Sequence, residues 1–117
     1  MTEQILLTIL LVHFLSDFGL QTHEQAINKS SSDTQLTYHV AIYSFIWLIA
    51  ANLYLSFISA LGFAIITFIA HWITDYITSR ISKEYFAKQD MHNGFVVVGA
   101  DQMLHYIQLY FTFKLLL

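Results

Sequence analysis

Long apolar runs broken by two polar stretches set the pattern of this chain. The first run, closing on "VHFLSDFGL", predicts a helix over about residues 4–20. From Tyr38 to Thr74 no Asp, Glu, Lys or Arg occurs, an uncharged stretch of 37 residues. A membrane-crossing helix needs about 20 residues at about 1.5 Å each, so this stretch predicts two helices, 38–56 and 59–79, folded back near "LSFISALG". A fourth helix is expected over 95–117. The polar stretch "HEQAINKSSSDTQ" reads as a surface loop ending in a capping box, with Ser32 as N-cap and Gln35 three residues on. The second helix is therefore expected to start ahead of its apolar part. The other polar stretch, "SRISKEYFAKQDMHNG", is expected to hold a short interfacial helix at "ISKEYFAK" and then a turn at Asn93 and Gly94.

Composition turns this pattern into a class. Hydrophobic residues make up 56% and charged residues only 11%, against about 25% charged in a soluble domain. The expectation is an all-α, integral-membrane four-helix bundle with short loops, one transmembrane helical domain over residues 1–117. With no basic patch to follow a phosphate backbone, nucleic acid is not an expected partner; membrane lipid is. The chain has no cysteine, which removes disulfides and thiolate ligands. "MTEQ" offers no basic region of a signal peptide, so the first segment is expected to stay in the mature protein. Because each span reverses direction, both polar loops fall on one side. They hold Lys29, Arg80, Lys83 and Lys88, against Lys114 alone on the other side, and the positive-inside rule puts them in the cytoplasm.

Candidate chemistry lies where the apolar runs are interrupted. His13 and Asp17 close the first span, His39 opens the second, His71 and Asp75 close the third, and Asp101 and His105 open the fourth. With alternating directions, all of these arrive at one depth. Residues four apart share a helix face, so each of "HFLSD", "HWITD" and "DQMLH" aims its His and Asp at the same neighbour. Thr67, Thr78, Gln108 and Thr112 extend the stripes, which are expected to face the bundle interior because a charge facing lipid costs several kcal/mol. Three carboxylates in low dielectric must be protonated, paired with imidazolium or bound to a cation. Arg80, just past the third span, is in reach of one of them at most. Four histidines and three aspartates form a ligand set for one or two divalent ions such as zinc, manganese or iron, with some aspartates orienting imidazoles instead. His13, Asp17, His39, His71, Asp75, Asp101 and His105 are thus the expected metal residues, and Asp17, Asp75 and Asp101 the candidate catalytic acids and bases. The bland alternative, polar residues that only hold helices together, applies to any one pair more readily than to all of them at one depth. His23 and His92 read as surface histidines, Gly19 as a helix terminator, and the tryptophans and tyrosines as interfacial belt or packing.

The motifs "HFLSDFGLQT", "HWITDYITSR" and "DQMLH" together resemble the small bacterial and phage integral-membrane proteins grouped as domain of unknown function 3307. The resemblance covers nearly the whole chain. Arg80 stands where a lysine is expected near the third-span motif, which keeps the charge but replaces a point charge by a bidentate fork. The resemblance implies a multi-pass inner-membrane helical protein. More distantly, the pattern is similar to small membrane-bound metal-dependent hydrolases, which carry His and Asp at span ends.

The leading expectation is a metal-dependent hydrolase acting on an amphiphilic substrate at the cytoplasmic face, its ion polarising an ester, amide or phosphoester and activating water. A proton- or metal-linked transport protein is the second, and four spans would then call for a homo-oligomer. A small adaptor with a structural His/Asp core is the third.

Overall fold

The Thr2 hydroxyl accepts the amide of Ile5 at 3.3 Å and opens the first helix, α1 (Glu3–Phe14). The computed structural model describes residues 1–19, 21–22 and 27–117. Leu20, the expected end of the first span, and His23 lie outside the described residues. After Phe14 the helix widens into a π turn, Leu15–Gly19, a form that is rare and recurs at functional sites. The second helix, α2 (Asp33–Ala51), begins at Ser32, whose side chain accepts the Gln35 amide at 3.3 Å. That cap, and a start ahead of the apolar part, are as the sequence predicts.

The reversal after α2 occupies residues 52–56, a little earlier than expected, and α3 (Phe57–Ala87) starts with Ser56 capping Ser59 at 3.2 Å. α3 does not stop at residue 79. With no Gly or Pro between Gly62 and Ala87 nothing breaks the hydrogen-bond ladder, and "ISKEYFA" continues the same helix instead of forming a separate interfacial one. The chain turns at Gln89, which takes the left-handed conformation at φ 61°. The Gln89 amide bonds Phe86 O at 3.0 Å and the Asp90 amide bonds Tyr85 O at 2.9 Å, a Schellman close. Asp90 then caps α4 (Met91–Leu116), so Asn93 and Gly94 are in its first turn rather than in a loop. Gly94 lets the Phe86 ring lie against the helix there, since a Cβ would come too close to that ring and force it to move.

Among the described residues the fold is all-helical, four helices and no strand. α3 packs on α2 and α4, and α1 closes the ring against α2 and α4. The interior has two halves. Near the 52–56 turn it is apolar, with Trp47, Phe63 and Phe113 fully buried and their rings 4.5 to 6.1 Å apart. Toward the polar loops it carries His, Asp, Gln and Thr, with the buried Thr67 and Thr112 at the boundary. The outside carries large apolar side chains on every helix: Leu11 is 63% exposed, Phe45 62%, Ile58 75% and Met103 59%. Of the four expected spans, one, Phe57–Ala87, is by itself long and apolar enough to cross a membrane among the described residues.

Candidate metal centre

The three i,i+4 motifs deliver their side chains to one place. His13, Asp17, His39, His71, Asp75 and His105 are each at most 1% exposed and Asp101 is 7% exposed, all within the polar half of the bundle. His13 comes from the last turn of α1, Asp17 from the π turn, His39 from α2, His71 and Asp75 from the middle of α3, and Asp101 and His105 from α4.

Four of them make a ligand cage. Asp17, His39, His71 and Asp75 each offer one ligand atom, all within 4.8 Å of one another. His39 Nε2 is 2.9 Å from Asp17 Oδ1 and 3.4 Å from Asp75 Oδ2. His71 Nε2 is 3.1 Å from Asp75 Oδ2, 3.6 Å from Asp17 Oδ1 and 3.3 Å from His39 Nε2. A tetrahedron with metal–ligand bonds of about 2.0–2.1 Å has edges of about 3.3–3.4 Å, so these separations fit four ligands around one ion. A second group, Asp17, Asp101 and His105, adjoins the first. His105 Nε2 lies 3.2 Å from Asp101 Oδ1 and 3.0 Å from Asp75 Oδ1. Asp17 belongs to both groups, and Asp75 turns one oxygen to each.

His13 belongs to neither group. Its Nδ1 is 2.7 Å from the Tyr43 hydroxyl and its Nε2 is 2.7 Å from Gln102 Oε1. Gln102 Nε2 then donates to Asp101 Oδ2 at 3.0 Å and to Asp17 Oδ2 at 3.5 Å. With Nε2–H on His13, every link donates in the same sense, from the Tyr43 hydroxyl toward the carboxylates. Thr78 also donates to Asp101. His13 therefore orients partners of the cage, a role the sequence reading allowed for some aspartates but not for this histidine.

The cation facing the cluster is not Arg80. Arg80 pairs with Asp33 at 2.8 Å and lies over the Tyr76 ring at 3.6 Å, away from the three carboxylates. Lys29, folded in from the first loop, puts its Nζ 3.6 Å from Asp75 Oδ2. Burial pulls its pKa down, but the carboxylates of Asp75, Asp17 and Asp101 more than offset this and hold it above the ordinary lysine value. Three carboxylates against one ammonium leave two negative charges to be matched. His71 and His105 stack with centroids 4.0 Å apart and planes 10° apart, so these two rings do not carry charge together; imidazolium on His39 and on one ring of the stack is one match for the two charges. One divalent ion also matches the charge, and the buried His/Asp groups could hold it.

Other residues fall where simpler readings put them. Trp72 donates to Thr37 Oγ1 at 3.1 Å and stacks on Tyr76, and Gln108 joins Thr67 at 3.1 Å and Thr112 at 2.9 Å. Tyr43 packs inside the bundle, as one half of the belt-or-packing expectation has it, and also bonds His13 there. It is fully buried in the site, and its spacing of four from His39 was the available signal.

A family profile described as "Protein of unknown function (DUF3307)" matches residues 5–116. No curated protein and no solved structure matches the chain.

Proposed function

The chain belongs to the DUF3307 family, whose description assigns no activity, and we propose that it is a membrane-embedded metal-dependent hydrolase. The observation that carries this reading is the cluster of Asp17, His39, His71 and Asp75, with one ligand atom each within 4.8 Å of the others, beside a pocket lined by Asp75 and Asp101. A membrane setting is supported by the apolar exterior around a polar interior. An ion held in the cage supplies Lewis-acid polarisation and a more acidic water. The protein's own groups divide the remaining work. In this reading Asp101, outside the cage and lining the pocket, serves as general base. Water adds its oxygen to the electrophilic carbon or phosphorus, its proton passes to the Asp101 carboxylate, and the leaving oxygen or nitrogen takes that proton as its bond breaks. Thr78 and Gln102 hold the Asp101 carboxylate in place.

The test is elemental analysis of protein purified without chelator, beside a His71→Ala, Asp75→Ala variant. About one divalent ion per wild-type chain, lost in the variant, is expected. A metal-free wild-type protein overturns the reading. Ion or proton flux in liposomes from a metal-replete protein that cleaves no ester, amide or phosphoester would point to transport instead.

A further inference from the structure

Next to the cage a pocket of about 530 Å³ runs from Asp75 and Asp101 out between the last turns of α3 and the start of α4. Its chemistry is divided. At the inner end stand the carboxylates and Lys29; along the wall lies Ser79, whose Oγ is buried without a hydrogen-bond partner among the described residues; at the mouth is the exposed Lys83. Apolar wall is supplied by Phe18, Phe86 and other side chains. Two of the five lysines and arginines of the whole chain thus line this one cavity.

We infer that this pocket binds a phosphomonoester amphiphile, its phosphoryl oxygens between Lys29 and Lys83 with Ser79 as a further donor, and its acyl chain along Phe18 and Phe86. The inference rests on the metal reading above and names the substrate class for it. A neutral ester or amide needs no ammonium in its pocket, whereas a phosphate dianion needs cations and N–H or O–H donors. The unsatisfied Ser79 hydroxyl is a donor waiting for an acceptor. Charge makes the binding metal-dependent. Without an ion or imidazolium the three aspartates outweigh Lys29 and repel phosphate. One divalent ion neutralises the cluster and leaves Lys83 as a net attraction. The amphiphile follows from the walls and from the apolar exterior that continues them.

The measurement is calorimetric titration of the full chain in detergent, with zinc added, using dihexanoyl phosphatidic acid, dihexanoylglycerol and glycerol 3-phosphate. Phosphatidic acid should bind at least roughly tenfold more tightly than either of the others. Lys83→Gln should weaken it about tenfold while Lys83→Arg stays within about twofold of wild type. Equal binding of dihexanoylglycerol, or an unaffected Lys83→Gln, overturns the phosphate assignment. Equal binding of glycerol 3-phosphate overturns the amphiphile and makes the ligand a soluble phosphomonoester. Zinc content measured on the same samples separates the two readings: zinc held without phosphatidic acid bound sinks only the substrate, and a protein that takes no zinc sinks the cage.

Discussion

His71 and His13 look alike in the sequence, each four residues ahead of an aspartate, but replacing them should have different consequences. His71 Nε2 forms three short edges of the cage, so His71→Ala should leave less than about a tenth of the bound metal. His13 stands beside the cage, bonded to Gln102 and 3.6 Å from Asp17 Oδ2, so His13→Ala, like Gln102→Leu, should only weaken metal affinity by about 10–100-fold. Competition with a fluorescent chelator measures both, and equal losses for His13→Ala and His71→Ala would put His13 in the cage. The i,i+4 rule identified the residues that meet because it describes one helix face. It carries no information on which nitrogen of a ring faces an ion and which faces a tyrosine. Nor could it find Lys29, which reaches Asp75 only through the path of a polar loop. Gln102, one position off the Asp101 stripe, escapes the rule for the same reason.

The start of α2 was legible because a cap is a local event, as Ser32 with Gln35 shows, whereas the Asp90 cap starts α4 four residues ahead of the expected position. Helix lengths were less so. Charge delimits an apolar span, not a hydrogen-bond ladder, and α3 runs on through Arg80, Lys83 and Glu84 to Ala87. The π turn left no composition signal, although it places Asp17 in the site. Deleting the exposed Leu15 should close that turn into an α-helix and move Asp17 from the place the widened turn gives it. The expected result is loss of bound metal with the packing of Ile5 and Ile9 intact, read by elemental analysis together with helix content. Retained metal would mean that the widened turn does not position Asp17. At the other end of the bundle, Gln89 occupies the left-handed position of a Schellman close, where a side chain costs about 1–2 kcal/mol and glycine nothing. Gln89→Gly should therefore stabilise the α3–α4 hairpin by up to about 1 kcal/mol, measured by unfolding in SDS. A destabilised variant would show that the Gln89 side chain contributes contacts exceeding that cost.

The molecule is about 46 Å long, as is a 31-residue helix at about 1.5 Å per residue. If a hydrocarbon layer of about 30 Å starts level with Phe57, it ends near Tyr76. His71 and Asp75, roughly 21 and 27 Å along the helix axis, then lie just inside the boundary. The remaining turns of α3, with Lys83 and the mouth of the pocket, stand among the headgroups. This proposed setting accounts for several features at once: the apolar exterior, the division of the interior into apolar and polar halves, and the lysines grouped at the loop end. It also predicts sidedness. The wild-type chain has no cysteine, so a single introduced thiol is a clean reporter. In spheroplasts, Leu117→Cys should react with a membrane-impermeant maleimide, and Lys88→Cys should react only after permeabilisation. Both variants should stay in the membrane fraction through alkaline carbonate extraction. Reversed labelling would put the loops outside the cell, against the charge asymmetry. Release by carbonate would mean that the apolar exterior is covered by protein partners, and the headgroup-level placement of the pocket would fall with it.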